Sequence, residues 1–111
     1  MTDEFRIKLT HHGRERYEER IGTNLGEDPE VTAGKAFRLG LKRSDLSGTV
    51  YRWAHRRVRN YPNKILRVYK GYLFLYTKDK PIGLVTVFPV PTTLKNKIKR
   101  SHRKRKRLIG W

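Results

Sequence analysis

The stretch I-L-R-V-Y-K-G-Y-L-F-L-Y-T, residues 65–77, decides the fold class. Branched and aromatic residues fill both sides of Lys70-Gly71, and such side chains suit a pleated, half-buried surface. A Lys-Gly pair between two such runs reads as a two-residue hairpin loop. Residues 84–88, L-V-T-V-F, repeat the composition after a looser, charged turn at 78–83, and Pro89 and Pro91 end that third strand. Three strands joined by short links make an antiparallel meander.

The period of two assigns faces within it. Leu66 and Val68 point one way, and Ile65, Arg67 and Tyr69 the other. In the last strand Val85 and Val87 share a face, and Leu84, Thr86 and Phe88 share the opposite one. Arg67, Tyr69 and Thr86, on neighbouring strands, form a candidate polar patch. Each also has an ordinary reading: a half-buried Tyr69, a Thr86 placed for β-propensity, and an Arg67 that snorkels to water.

Upstream of the meander the pattern is helical. Phe5, Ile7 and Leu9 alternate with Arg6 and Lys8, which reads as an edge strand or extended lead-in. Thr10 can cap a helix over residues 11–21, whose stripe is Tyr17 and Ile21 and whose end is Gly22. Asp28-Pro29 opens a second helix carrying Val31, Ala33, Ala36, Phe37 and Leu41 and closing near Gly40. After a polar link over 42–45, with Ser44 or Ser47 as cap, Val50, Trp53, Ala54 and Val58 keep helical spacing. Thr49-Val50-Tyr51 also reads as strand, and N-Y-P-N at 60–63 is a turn. The expected architecture is α+β: two to three N-terminal helices packed on one face of a three- to four-stranded antiparallel sheet. The core is expected to be thin and one-sided. One domain spans 1–94, followed by a basic tail over 95–111.

Charge is the strongest global signal, at +17 over 111 residues. Its distribution is uneven. Residues 1–45 hold nine basic and nine acidic residues, residues 46–94 hold nine basic residues against Asp79 alone, and residues 95–111 hold nine basic and no acidic residues. A polyanion is the implied partner, nucleic acid before a membrane surface, with RNA favoured. Candidate phosphate contacts are Arg52, Arg56, Arg57 and Arg59 on the third helix and Lys64 and Lys70 on the sheet. In the tail they are Lys95, Lys97, Lys99 and Arg100, then Arg103, Lys104, Arg105, Lys106 and Arg107. Such a tail is expected to be flexible, or helical only on a partner, and to give affinity rather than specificity. Leu108, Ile109 and Trp111 can tuck back or stay free. Tyr51, Trp53, Tyr61 and Tyr72, interleaved with arginines, suit stacking on unpaired bases, with core packing the alternative, above all for Trp53.

Other classes are disfavoured. The chain has no cysteine, so disulfide and thiol chemistry are out, which suits a cytoplasmic protein. No apolar run is long enough to span a membrane. No metal or cofactor is expected: His11-His12 is not followed by ligands at metal spacing, and His55 and His102 stand in unrelated segments. Few carboxylates follow Asp45, which argues against a two-metal nuclease.

In T-H-H-G-R-E-R-Y-E-E-R-I, residues 10–21, His12, Arg16 and Arg20 recur every fourth residue and share one helix face. An imidazole above two guanidiniums is a sensible array for handling a phosphate. The plainer reading is a solvated face salt-bridged to Glu15, Glu18 and Glu19. Three stretches together, H-x-x-x-R-x-x-x-R-I at 12–21, A-F-R-L-G at the end of the second helix and L-V-T-V-F-P at 84–89, resemble the BECR nuclease superfamily. That superfamily groups barnase-, EndoU-, colicin- and RelE-like toxin and phage-borne domains. The resemblance covers roughly residues 5–91.

It implies metal-independent RNA cleavage on an open sheet face by 2′-hydroxyl attack. His12 would act as base or acid, Arg16, Arg20 and Arg67 as charge stabilisers, Tyr69 as an orienting or proton-donating group, and Thr86 as the last-strand threonine of the site. Gly13 stands where the superfamily usually has alanine, and the basic tail is not one of its features. An acidic protein, such as an antitoxin, neutralising the basic face is a further partner the charge allows. A non-catalytic nucleic-acid-binding protein on the same scaffold, such as a phage or plasmid regulator or ribosome-associated factor, fits the charge map equally well.

Overall fold

In the computed structural model, which describes residues 5–98, the hairpin forms where the sequence places it. Lys70 and Gly71 both take positive φ, 46° and 85°, as a tight two-residue turn of this hand requires. β2 (Lys64–Tyr69) and β3 (Tyr72–Thr77) pair antiparallel, with Lys64 opposite Thr77 and Tyr69 opposite Tyr72. β4 (Gly83–Pro89) lies antiparallel on the other side of β3. The short β1 (Lys8–Leu9) joins β4 in parallel, so the order is β1-β4-β3-β2 and the sheet is mixed rather than purely antiparallel. A parallel partner needs a long crossover, and residues 10–82, the helical half together with β2 and β3, supply it.

The helices start and stop on local signals. Thr10 Oγ1 accepts from the Gly13 amide at 2.9 Å and caps α1 (His11–Arg20). Gly22, at φ 56°, closes it by donating to the Tyr17 carbonyl at 2.9 Å. Asp28 caps α2 (Pro29–Leu39), with Pro29 in the first turn, where its missing N–H costs nothing. The third segment is helical, not strand: α3 spans Gly48–Val58 after Ser47.

One expectation fails in an informative way. The helices do not pack on one face. α1 and α2 cover one side, where Tyr17, Ile21, Ala33 and Ala36 meet Phe74, Tyr76, Leu84 and Val87. α3 covers the other, where Val50, Ala54 and Val58 meet Leu66, Val68, Leu73 and Leu75. β3 is the pivot: Leu73, Phe74, Leu75 and Tyr76 are all fully buried, two to each side. The core is therefore double, and the sheet is its middle layer.

A register shift at Leu75/Tyr76 makes a second correction. Tyr76 pairs with Leu84 while Leu75 pairs with Thr86, so Val85 is the extra residue of a bulge. Leu84 and Val87 consequently face α1 and α2, and Thr86 and Phe88 face α3, in place of a plain alternation.

Beyond β4, Val90, Leu94 and Ile98 add to the α3-side core, and residues 95–98 are helical. Lys97 Nζ donates to Thr49 Oγ1 at 3.0 Å, at the start of α3. Leu94 and Ile98, four apart, give this turn an apolar face, so folded structure continues past the boundary read at 94. Lys99, Arg100, Arg103, Lys104, Arg105, Lys106 and Arg107, with Leu108, Ile109 and Trp111, lie outside the described residues.

Candidate nucleic-acid interface

Burial of Val50, Ala54 and Val58, each four residues on, fixes how α3 is rotated. The rotation leaves Arg52, His55, Arg56 and Arg59 exposed. α3 contains no acidic residue, and none of its arginines forms an ion pair with a described residue. Tyr51, 39% exposed, lies nearly parallel to His55, with ring centroids 6.1 Å apart and planes 11° apart.

Each end of α3 meets a different sheet edge. At the β2 edge a cleft of about 600 Å³ is walled by Lys42, Arg43, Lys64 and Arg67, with Tyr51 at its side and Leu46 and Leu66 among its lining. At the β4 edge Arg57 lies over the Phe88 ring, 5.7 Å from its centroid. Six residues of helix rise about 9 Å. Two strand spacings are about 9.6 Å. α3 thus bridges the sheet from β2 to β4, and its basic face joins the two edges into one surface.

Arg20 reaches the β4 edge from the other side of the sheet. Its guanidinium donates to the Val87 carbonyl at 2.6 Å and lies 4.9 Å from the Phe88 centroid. β1 pairs only with Gly83 and Leu84, so this carbonyl belongs to the unpaired part of the edge. Arg20 and Arg57, from helices on opposite faces, converge on one aromatic ring, with Tyr61 edge-on to it at 6.0 Å.

The residues expected to act together are only partly brought together. His12 is exposed at the start of α1, with no hydrogen-bond or ion-pair partner among the described residues, while His11 pairs with Glu15 at 2.9 Å. Arg16 is paired with Glu19 at 2.9 Å, as the plainer reading held. Arg67 and Tyr69 sit on β2, at the far edge from α1. Arg67 Nε donates to the Phe37 carbonyl at 2.9 Å, and its guanidinium covers the Phe37 ring, so it fastens the end of α2 to the sheet. Tyr69 is edge-on to Phe74, and Lys70 Nζ lies 5.4 Å from its ring centre.

Thr86 is buried on the opposite face from Arg67, with its hydroxyl unpartnered. The pairing explains this: Arg67 lies opposite Phe74 and Phe74 opposite Val87, so Val87's neighbour must point the other way. The three-residue sheet patch is not formed. Trp53 and Tyr61 pack against the α3-side core, whereas Tyr51 does not.

Sequence reasoning missed Lys42, Arg43 and Phe88. Lys42 and Arg43 follow Leu41, whose backbone pairs with Val68 and lays the link along the β2 edge. No local pattern announces that. Phe88 was legible as a sheet residue but not as the ring shared by two arginines. Gly13 is explained by packing: a Cβ there would collide with the Leu84 carbonyl oxygen, so α1 lies against β4 only with glycine at that point.

Among the described residues no helix is long and apolar enough to cross a membrane, and no group of three His, Asp or Glu side chains could hold a metal ion. Comparison of the chain with protein-family models, with curated proteins and with solved structures finds no match.

Proposed function

We propose that this protein binds nucleic acid through the α3 face. The observation that carries the reading is the exposed row Arg52, His55, Arg56 and Arg59, on a helix with no carboxylate. Cationic side chains that are not neutralised within the fold gain most from displacing condensed counterions on a phosphate backbone. The cleft at one end and the Arg20–Phe88–Arg57 cluster at the other extend the same potential, and Lys97 stands beside the start of α3. The test is a titration of the full-length protein with labelled RNA and DNA over a series of salt concentrations. A log–log slope near −0.7 to −0.9 per phosphate contact is expected. No binding, or binding indifferent to salt, would refute it.

A second reading, metal-independent cleavage of the bound RNA, is favoured by α1 lying along β4, whose edge is open at the Arg20 end. Arg20 meets Arg57 there, and exposed His12 lies two turns away on the same helix. In that reaction His12 takes the 2′-hydroxyl proton, the 2′-oxygen bonds to phosphorus, and the P–O5′ bond breaks as the 5′-oxygen takes a proton from water. Arg16, one turn from His12, exchanges Glu19 for the phosphorane's charge, and Arg20 and Arg57 hold the flanking strand. Incubation with total RNA in EDTA should yield cyclic-phosphate ends, and His12→Ala should stop cleavage without weakening binding. Intact RNA with wild type, or undiminished cleavage by His12→Ala, removes this reading.

A further inference from the structure

The exposed aromatic pair on α3 is not accounted for by phosphate binding. Trp53 and Tyr61, on the same helix and the turn after it, are half-buried and pack against the core. Tyr51 and His55 add nothing to that core; they lie parallel on the surface, Tyr51 beside the β2-edge cleft. The cleft is shallow and open, with cationic walls and Leu46 and Leu66 in its lining. Flat exposed rings next to converging cations suit a base and its phosphate together. Bases in a duplex are already stacked and cannot reach such a ring; an unpaired base can.

We propose that Tyr51, backed by His55, and the cleft cations Lys42, Arg43 and Lys64 form a subsite for one unpaired nucleotide of a single-stranded nucleic acid. The base extends the Tyr51–His55 stack, and the adjoining phosphate meets Lys42, Arg43 and Lys64. This assignment rests on the α3 face being the nucleic-acid surface, and it narrows the substrate class from nucleic acid in general to strands with unpaired bases.

The experiment measures anisotropy of a labelled single strand, the same strand annealed to its complement, and the same strand with abasic sites, each as RNA and as DNA. Wild type should bind the single strand more tightly than the duplex. Tyr51→Ala should weaken single-strand binding about tenfold, the scale of one lost base stack, and leave duplex binding unchanged. Tyr51→Trp should retain the wild-type preference. Abasic strands should bind wild type no better than intact strands bind Tyr51→Ala. Equal affinity for duplex and single strand, or an equal response of both to Tyr51→Ala, overturns the subsite while steep salt dependence still upholds the α3 surface. If no strand binds in a salt-dependent way, the α3 surface itself is refuted and the subsite falls with it.

Discussion

On the α1/α2 side of the molecule, four Lys and Arg side chains find carboxylates. Arg16 pairs with Glu19 and Lys35 with Glu27, both at 2.9 Å, and Arg6 and Arg14 lie within 3.8 Å of Asp28 and Glu30. On the α3 side a comparable number of arginines stands on one helix, with no described carboxylate paired to any of them. Exposed ion pairs add little stability, typically below 1 kcal/mol, but they do cancel field. The first side is electrically quiet, and the second projects its charge into solvent. What separates the α3 arginines from Arg14 and Arg16 is the company they keep, not their exposure.

The sharpest way to break this contrast is to remove equal positive charge from each side. Replacing Arg52, Arg56, Arg57 and Arg59 by Gln should lower nucleic-acid affinity about 100-fold or more at low salt and flatten the salt slope. Replacing Arg6, Arg14, Arg16 and Lys35 by Gln should change affinity little. Comparable losses in the two variants would mean that net charge alone, rather than the α3 face, governs binding.

Two substitutions test the other side as scaffold. Gly13→Ala forces α1 away from the Leu84 carbonyl and should cost about 1–3 kcal/mol of stability, read by denaturant unfolding, without altering binding by the folded protein. Unchanged stability would show that α1 does not need its close approach to β4.

The smallest effect concerns Tyr76, whose hydroxyl donates to the Ala33 carbonyl at 2.8 Å. Burial pushes its phenol well above its ordinary value of 10.0, against a smaller opposite pull from Arg67. A raised folded-state value means that this part of the stability is complete below pH 10 and is lost as pH climbs above it, because the unfolded phenol ionises first. Tyr76→Phe should cost about 1 kcal/mol at neutral pH and lose less than wild type between pH 10 and 11. An alkaline unfolding profile identical to wild type would contradict that assignment.

Much of the scaffold was legible from particular residues. Lys70-Gly71 announced the hairpin, Asp28-Pro29 the start of α2, and Gly22 the end of α1. The layering was not read, although a signal for it exists. Leu73-Phe74-Leu75-Tyr76 is apolar without interruption, the mark of a strand covered on both faces, and that requires helices on both sides. An amphipathic helix shows that it has an inward side, but not which side of the sheet receives it. The same gap explains the site. Spacing grouped His12, Arg16 and Arg20 along α1, and residue type grouped Arg67 with Thr86. Only the strand pairing shows that Arg67 and Thr86 point to opposite faces. The Arg20–Phe88–Arg57 cluster joins three distant elements, and no local pattern encodes that meeting.

The most direct test is amide and side-chain NMR of the full-length protein titrated with a short single strand at low salt. Shifts should concentrate on Tyr51, Arg52, His55 and Arg56 and along the cleft at Arg43 and Lys64, with Glu30, Lys35 and Arg38 of α2 still. Shifts centred on α2, or spread evenly over both faces, would contradict the assignment of nucleic-acid binding to the α3 side.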